Sequence, residues 1–412
     1  MTTIQFESHA PITGFEVQNH CLVVGTRSVT DLVAESGQTP LYLYDRDLIS
    51  QRIALLRRLL PDQCRINYAV KANPMPELVR HVASLVDGLD VASVGELTLV
   101  GNAGVDGARV SFAGPCKRNN ELEAAVNAGA TINIESEREL EFLHLEAARF
   151  QQRPKVAIRV NPPFQLRSSG MKMSGGAQQF GIDSEDVPGI LRRMKNMDIE
   201  FIGFHIFSGS QNLHADAICE AQNLTIELAI QLASHAPAPV KLLNIGGGFG
   251  VPYFRDEQPL DIESVTQNVH TLIPQVADAM PQATVALELG RYLVAEAGVY
   301  LCRVIDRKVS RGRVFLVTDG GLHHNLAASG NFGQIVRKNY PVVVANKIGW
   351  PEQEKATVVG PLCTPLDLLA DRMQLAVAEP GDLIAVFQSG AYGRSASPLD
   401  FLGHPHPAEL LI

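Results

Sequence analysis

The sequence predicts an α/β fold, a (β/α)8 barrel joined to a second, β-rich domain. Between about residue 65 and residue 290, short apolar segments alternate with segments whose apolar residues recur at helical spacing. Eight such repeats favour one closed barrel over a set of separate domains. The predicted strands are residues 65–70, 88–93, 109–114, 131–135, 155–160, 201–207, 242–246 and 284–289.

Both ends of the chain depart from this alternation. We expect residues 1–38 to join a β-rich domain formed by residues 295–412, and residues 39–294 to form the barrel. Segment 166–179, rich in Gly, Ser, Met and Lys, is predicted to be a mobile or binding-induced loop. The β-like runs of the tail are residues 300–304, 314–318, 355–359 and 382–387.

Charge and cysteine content narrow the class of protein. Of the 412 residues 46% are hydrophobic, enough for a large core, and the net charge of −9 argues against a general binder of nucleic acid or anionic membranes. We expect no signal peptide, because no basic stretch precedes an apolar segment near the N-terminus, and no apolar run has the length of a membrane span. The six cysteines form no Cys-x-x-Cys pair, which favours reduced thiols and a cytoplasmic protein. Because the paired histidines, His323-His324 and His404-Pro405-His406, lack companion ligands, we expect no metal site.

Seven polar features fall at or near the C-terminal ends of the predicted strands, where a β/α barrel carries its active site. Lys71, at the tip of the first strand, is the most informative. A poorly solvated lysine loses its proton easily, and an uncharged amine can form an imine. The plainer alternative is that Lys71 ends its strand in solvent. The other features are Asp90, Glu135, Arg159, His205, the glycines at 246–248 and Glu288.

Two of these features suit a phosphorylated pyridine ring. The glycines of segment 246–250 let backbone N–H groups approach a phosphate, to which Arg291 could add a charge-assisted contact, although a tight turn would use the same glycines. Glu288 is a costly residue to bury without a partner. It either pairs with Arg291 or keeps a pyridine nitrogen protonated, which makes the ring a strong electron sink.

Further residues could complete such a site. His205 is either a satisfied core histidine or a side chain that stacks on the ring, in which case Ser208 or Ser210 could reach the phosphate. Cys363 and Tyr392 lie in loops of the tail flanked by Gly and Pro. They are either surface residues or a pair that completes the site from outside the barrel.

Taken together, these motifs resemble the fold-type III, pyridoxal-phosphate-dependent decarboxylases of the ornithine/diaminopimelate decarboxylase family. The resemblance runs from about residue 38 to the C-terminus. It implies pyridoxal 5′-phosphate as cofactor, a second domain like the C-terminal domain of alanine racemase, and a head-to-tail homodimer with shared active sites. The motifs, in the order of the family, are Tyr-Ala-x-Lys-Ala-Asn, Asp-Val-Ala-Ser-x-Gly-Glu-Leu, Gly-Gly-Gly-Phe-Gly, Glu-x-Gly-Arg, Gly-Pro-x-Cys and Gly-Ala-Tyr-Gly.

The resemblance also implies a role for each matching residue. Lys71 would attach the cofactor, Glu288 would pair with its pyridine nitrogen and His205 would stack on its ring. Cys363 would reach the active site of the other subunit and return a proton to the substrate carbon. Glu96 would position the lysine. The remaining implied cofactor contacts are Asp90, Arg159, Ser208, Gly247, Gly248, Arg291 and Tyr392.

The chain departs from the family at the expected substrate site. Ornithine and diaminopimelate decarboxylases follow the cysteine with an acid that binds the distal amine of the substrate, whereas this chain has Thr364 and then Pro365. Asp367 could substitute for that acid if the loop bends inward. Arg167 is expected to contact an anionic or carrier-borne part of the substrate, and Tyr392 to contribute to the same site.

Segments 362–365 and 401–407 of the tail resemble a biosynthetic branch of the family, which acts on siderophore intermediates or carrier-bound glutamate. Segment 320–333 resembles members found beside exosortase genes. We therefore expect α-decarboxylation of a modified or carrier-tethered L-amino acid. The alternatives are a diaminopimelate decarboxylase, an amino-acid racemase with a similar barrel, and a non-catalytic homologue that binds a partner protein.

Overall fold

The structure is a computed structural model that describes residue 12 and residues 14–150, 152–165, 171–172, 174–334 and 337–412. The chain divides into two compact units. The barrel unit comprises Arg52–Val251 and Pro259–Gly290, and the β-rich unit comprises Met1–Gln51, Pro252–Gln258 and Arg291–Ile412.

Eight parallel strands close the barrel unit into a ring, as predicted. They follow one another in chain order, and the last pairs with the first. Nearly all their residues are buried, as expected for parallel strands covered on both faces. Each observed end lies within two residues of the predicted one. The strands are β1 (Cys64–Ala69), β2 (Gly88–Val91), β3 (Val110–Phe112), β4 (Thr131–Ile134), β5 (Lys155–Asn161), β6 (Glu200–Ile206), β7 (Leu242–Gly247) and β8 (Thr284–Leu289).

Helices connect the barrel strands, and two of these described helices begin at serine caps. Ser93 accepts a hydrogen bond from the backbone N–H of Glu96, and Ser136 accepts one from that of Glu139. Short 3₁₀ turns occur at Val70–Ala72, Gly107–Arg109 and Ala147–Arg149. The helices are Arg46–Leu59, which begins in the β-rich unit, and then Pro76–Ala83, Val94–Asn102, Asn119–Ala128, Glu137–Leu145, Val187–Met194, Ala215–Ala233 and Ile262–Ala279.

Part of segment 166–179 is tied to the loop that follows β6. Met171–Lys172 pairs antiparallel with Gly209–Ser210, and the Ser174 hydroxyl donates to the backbone carbonyl of Ser208 at 3.1 Å. The described part of this segment is therefore hydrogen-bonded to the barrel, and its mobility or ordering on binding stays a prediction. A further short strand, Ile182–Asp183, pairs with β5.

The β-rich unit contains an eight-stranded sheet and a separate three-stranded one. The four β-like runs of the tail all form strands. The larger sheet consists of Leu41–Tyr44, Gly298–Ser310, Arg313–Thr318, Val342–Val344, Gln353–Val359, Leu368–Ala376, Leu383–Val386 and Ala408–Leu411. The smaller sheet consists of Glu16–Gln18, Cys21–Val24 and Arg27–Ser28. The remaining elements are the helices Val29–Ser36 and Arg291–Val294 and the 3₁₀ turns Ala295–Ala297, Arg394–Ala396 and Phe401–Gly403.

The strand Leu41–Tyr44 belongs to the β-rich unit, although its position in the sequence suggests the barrel. It lies between Gly298–Ser310 and Ala408–Leu411 and is buried along its whole length. Its leucines pack into a hydrophobic core with residues such as Leu22 and Val299. The division into two units does not test the domain boundaries expected from the sequence, which stay a prediction. Among the described residues, no helix combines the length and the apolar character needed to cross a membrane.

Candidate active site

Lys71 and Glu288 lie side by side at the C-terminal end of the barrel. Lys71 sits in the 3₁₀ turn directly after β1, and Glu288 lies on the neighbouring β8. The Lys71 Nζ is 3.4 Å from the Glu288 Oε1. The Lys71 side chain is 45% exposed, so the poor solvation predicted for it is absent, while Glu288 is buried. The amine that the sequence singles out therefore faces both solvent and a buried carboxylate.

Glu288 is held as a carboxylate. Burial would raise its pKa, but the positive charge of Lys71 and the adjacent His205 and Arg159 outweigh burial and keep this pKa below its usual range. The His205 Nε2 lies 3.0 Å from the Glu288 Oε2. An ionised acid at this position can accept a hydrogen bond from a protonated ring nitrogen. Sequence reasoning named Arg291 as one partner for Glu288, whereas among the described residues the Glu288 carboxylate lies beside the Lys71 amine and the His205 ring.

The pKa of Asp90, on β2, is shifted in the opposite direction to that of Glu288. Both its carboxylate oxygens are buried and have no hydrogen-bond partner among the described residues. Burial and the negative charge of Glu288 raise the pKa of Asp90 well above its usual range. The pKa values of the two buried acids are thus shifted in opposite directions, that of Glu288 downwards and that of Asp90 upwards. A cluster of buried polar atoms without partners indicates a site built for a polar ligand.

Arg159, on β5, is fixed by a second carboxylate. Its Nη1 donates to the Glu135 Oε1 at 2.9 Å, and its guanidinium lies 4.9 Å from the ring centre of Phe180. Glu135 also accepts hydrogen bonds from the backbone N–H groups of Gly114 and Gly181. One buried acid therefore holds Arg159 and two loops at the same end of the barrel.

The neighbouring ion pair between Lys117 and Glu139 was missed by sequence reasoning. Its two side chains are 1% exposed, and the Lys117 Nζ lies 3.0 Å from the Glu139 Oε2. The same oxygen accepts the backbone N–H of Glu135 at 2.9 Å. The serine cap three residues before Glu139 is visible in the sequence, but the distant lysine that pairs with this acid is not.

The Gly-rich turn after β7 has a close-packed backbone, which agrees with the tight turn that was one of the two alternatives for its glycines. Gly246 and Gly248 adopt positive φ angles of 71° and 72°. A Cβ on Gly248 would lie 2.2 Å from the Gly209 carbonyl oxygen, and one on Gly247 would lie 2.3 Å from the Glu288 carbonyl oxygen. Only glycine fits such a turn. Ser208 is buried beside Gly209, so a hydroxyl and the turn backbone are available at one place in the barrel unit.

Arg291 and Tyr392 come together in the β-rich unit. The Arg291 Nη1 donates to the Tyr253 hydroxyl at 2.7 Å, and its guanidinium lies 4.8 Å from the ring centre of Tyr392. Tyr253 in turn packs on Tyr340, with ring centres 4.5 Å apart. Sequence reasoning predicted the arginine and Tyr392 but missed Tyr253 and Tyr340, which lie in separate loops.

In the β-rich unit, the loop at residues 360–367 contains an exposed Cys363 and a buried Asp367. Cys363 is exposed, and its action in the active site of a second subunit stays a prediction. Asp367 is buried, and its two oxygens accept the backbone N–H groups of Leu322 and Leu362 at 2.6 and 2.8 Å. This carboxylate fixes two loops, which differs from the substrate contact expected for it. Thr364 follows Cys363, while Arg167 lies outside the described residues.

The residues of the barrel unit fit a phosphorylated pyridine aldehyde. Lys71 offers the amine for the aldehyde, ionised Glu288 suits a protonated ring nitrogen, and the turn at Gly248 offers backbone N–H groups to a phosphate. The buried, unpartnered Nδ1 of His205 and the Asp90 carboxylate mark the same end of the barrel as polar and incomplete. The arrangement is suited to stabilising negative charge at a carbon next to an amine.

Comparisons with known proteins agree with this chemistry. A family described as pyridoxal-dependent decarboxylase, pyridoxal binding domain, matches residues 46–295. The L-glutamyl-[BtrI acyl-carrier protein] decarboxylase of Niallia circulans is 40% identical over 380 residues, 91% of this chain and 89% of that protein. The 2-[(L-alanin-3-ylcarbamoyl)methyl]-2-hydroxybutanedioate decarboxylase of Staphylococcus aureus is 31% identical over 92% of this chain and 95% of its own.

Solved structures extend the likeness to the three-dimensional fold. The diaminopimelate decarboxylase of Helicobacter pylori, complexed with L-lysine, superimposes with a TM-score of 0.82 at 26% identity, covering 93% of this chain and 94% of that one. The matches to these three proteins each cover at least 91% of this chain and therefore span both units. On this evidence, the chain belongs to the family of pyridoxal-dependent decarboxylases and is an amino-acid decarboxylase whose cofactor is pyridoxal 5′-phosphate.

Proposed function

We propose that this decarboxylase acts on an L-amino acid whose side chain is attached to a carrier protein. The observation that carries the proposal is the position of Asp367. Its carboxylate is buried and bound to the backbone of Leu322 and Leu362. The loop therefore offers the hydroxyl of Thr364 in place of an acid. A buried distal ammonium needs a carboxylate partner, and its absence costs several kcal/mol.

A tethered side chain removes that requirement. An amino acid attached through its side-chain carboxyl carries a neutral carbonyl at the distal end, to which the Thr364 hydroxyl can donate a hydrogen bond. The 40% identical relative from Niallia circulans, named for an L-glutamyl group on an acyl-carrier protein, supports the same substrate class. An L-glutamyl group on a carrier is therefore the proposed substrate.

We assign the site residues as follows. Lys71 would bind the aldehyde of the cofactor, and Glu288 would accept a hydrogen bond from the ring nitrogen. His205 would lie against the ring, and Ser208 and Gly248 would bind the phosphate. When bound, pyridoxal phosphate supplies the electron sink that accepts the electron pair left by the departing carboxylate. The additional assigned cofactor contacts are Asp90, Arg159, Gly247, Arg291 and Tyr392.

The proton balance of decarboxylation requires an acid. One proton must replace the carboxylate on the α-carbon, and we assign it to the Cys363 thiol, which is exposed. Carbon dioxide and the amine are the products. The resemblance to shared-site enzymes implies that the thiol serves the active site of a second subunit, so we propose a homodimer. Exposed apolar residues of the β-rich unit, Leu366 at 58% and Phe401 at 47%, support a subunit contact there.

The test is CO2 release from L-glutamyl carrier protein, free L-glutamate, ornithine and meso-diaminopimelate. We expect the tethered substrate to have the highest kcat/KM by at least about tenfold, the factor that corresponds to about 1.4 kcal/mol. Efficient turnover of meso-diaminopimelate would instead assign the chain to diaminopimelate decarboxylation. Absence of CO2 from every candidate, with cofactor bound, would favour a non-catalytic binding protein.

A further inference from the structure

A basic pocket lies in the β-rich unit, in a part of the molecule that the proposed chemistry does not use. It has a volume of about 290 Å³. Three of its side chains are cationic and two are acidic, in a chain whose net charge is −9. The lining residues are Phe254, Arg255, Asp256, Arg337, Lys338, Asn339 and Asp371.

The acidic residues leave the pocket with an excess of positive charge. Asp371 is engaged by two arginines that do not line the pocket, Arg313 at 3.3 Å and Arg372 at 3.2 Å. Arg337 donates to neutral oxygens, including the backbone carbonyl of Ser329 at 3.0 Å. In the part of the chain that the structure describes, no carboxylate forms an ion pair with Arg337. A fixed guanidinium without a carboxylate partner is suited to an anionic ligand.

The other two cations line the pocket as exposed side chains. Arg255 and Lys338 are both exposed, and among the described residues neither forms an ion pair. The Lys338 Nζ lies 5.2 Å from the ring centre of Phe254, close enough for a cation–π contact that holds it at the pocket. The pocket thus combines one cation that hydrogen bonds hold in place, Arg337, with two exposed cations whose side chains can move towards a ligand.

The aromatic wall of the pocket is connected to Arg291, which is assigned to the cofactor. Tyr253 directly precedes Phe254 in the chain, and its hydroxyl accepts the hydrogen bond from Arg291. Tyr340 packs against both aromatic residues, with ring centres 4.5 Å from Tyr253 and 6.2 Å from Phe254. The Glu257 carboxylate accepts hydrogen bonds from the backbone N–H groups of Tyr253 and Phe254 and thereby fixes these two residues. Ring contacts and one hydrogen bond therefore connect Phe254, which lines the pocket, to Arg291 within the β-rich unit.

We propose that the pocket binds the phosphate of the phosphopantetheine arm on which a carrier protein presents the substrate. This inference rests on the proposed carrier-tethered substrate. The arm ends in the thioester that carries the amino acid, and its phosphate is the one anionic group along it. Arg337, Lys338 and Arg255 bind the phosphate oxygens by charge-assisted hydrogen bonds. The pocket then distinguishes a carrier-borne amino acid from a free one.

The test compares L-glutamyl thioesters of phosphopantetheine and of pantetheine, which differ by the phosphate alone. For the holoenzyme we expect kcat/KM to be about tenfold or more higher for the phosphorylated thioester, the factor expected from one charge-assisted hydrogen bond. Lys338→Glu and Arg255→Glu should each lower this preference to about one. Lys308→Glu, a matched reversal of an exposed lysine that does not line the pocket, should retain the preference.

The outcomes separate the pocket from the substrate proposal. Equal turnover of the two thioesters by wild type, unchanged in both variants, would overturn the pocket while leaving the tethered substrate intact. A loss confined to intact carrier protein would also overturn it, because the cations would then bind acidic carrier side chains. Turnover of neither thioester nor glutamyl carrier, together with efficient turnover of a free amino acid, would refute both proposals. Circular dichroism of the variants shows that each is folded.

Discussion

The Lys71 amine and the Glu288 carboxylate lie 3.4 Å apart, although 217 residues separate them in the sequence. Because β8 pairs directly with β1, closure of the barrel is what brings the two together. One residue is half exposed and the other is buried. The amine is therefore accessible to a carbonyl compound, while the acid remains in surroundings that strengthen its electrostatic effect.

The first prediction concerns covalent attachment of the cofactor. After borohydride reduction of the holoenzyme, mass spectrometry should find the cofactor on the peptide that contains Lys71. Lys71→Ala should abolish this label and all CO2 release, because the amine is lost. The exposed Lys308→Ala serves as the control and should keep both. A label on another lysine in the wild-type protein would contradict the assignment.

The second prediction concerns Glu288. Glu288→Gln should lower kcat by about 100-fold or more, since it removes the charge that keeps the ring nitrogen protonated. The content of bound cofactor should change little, because Ser208 and the turn at Gly248 are intact. Absorbance of the bound cofactor and initial rates measure the two effects separately. A normal kcat would show that Glu288 acts only as the ion-pair partner of Lys71.

The barrel and its chemical residues could be predicted because each leaves a local pattern. Apolar strands separated by helical segments define the ring, and polar residues at the strand ends then share one face. The strand Leu41–Tyr44 could not be assigned, since four buried apolar residues have the same appearance in either unit. The partnership of Lys117 with Glu139 depends on how two loops fold together. The exposure of Lys71 follows from the 3₁₀ turn after β1, which a strand pattern does not contain.

The third prediction concerns the pH dependence of stability. His323 is fully buried against His324 and His404. Burial lowers the pKa of His323 to about 4 and that of His324 to about 3. Between about pH 6.5, the usual histidine value, and pH 4, the unfolded chain binds protons that the folded chain does not. The free energy of unfolding should therefore fall as the pH falls through this range.

His323→Asn should weaken this pH dependence, because one of the depressed groups is removed. Urea unfolding at pH 7 and at pH 5, at one protein concentration, measures the change. The exposed His235→Asn is the control and should keep the wild-type difference between the two pH values. An unchanged slope in His323→Asn would show that His323 is protonated in the folded protein.

The fourth prediction concerns the shared active site. Lys71→Ala and Cys363→Ala should each be inactive alone. Mixed under conditions that exchange subunits, they should regain about a quarter of wild-type activity, since half the dimers are mixed and one of their two sites is intact. Size-exclusion chromatography and differently tagged chains report the mixed dimers. No activity in proven mixed dimers would assign Lys71 and Cys363 to a site within one subunit.

The last prediction concerns Thr364 and the choice of substrate. Thr364→Asp introduces a carboxylate beside Cys363, where decarboxylases of free diamino acids are expected to keep one. It should raise kcat/KM for meso-diaminopimelate or ornithine by about tenfold or more, because a distal ammonium gains a partner, and lower it for an L-glutamyl thioester, whose carbonyl would face an acid. Thr364→Ser keeps the hydroxyl and should retain the wild-type preference.

The variant Asp367→Asn is a second control for this choice of substrate. It should not change substrate choice in the way that Thr364→Asp does. It should instead lower the free energy of unfolding, because the hydrogen bonds from the Leu322 and Leu362 N–H groups to its side chain become weaker. If Asp367→Asn alone removed activity on diamino acids that the wild-type enzyme decarboxylates, with stability unchanged, Asp367 would be the substrate acid and the tethered substrate would lose its main structural support.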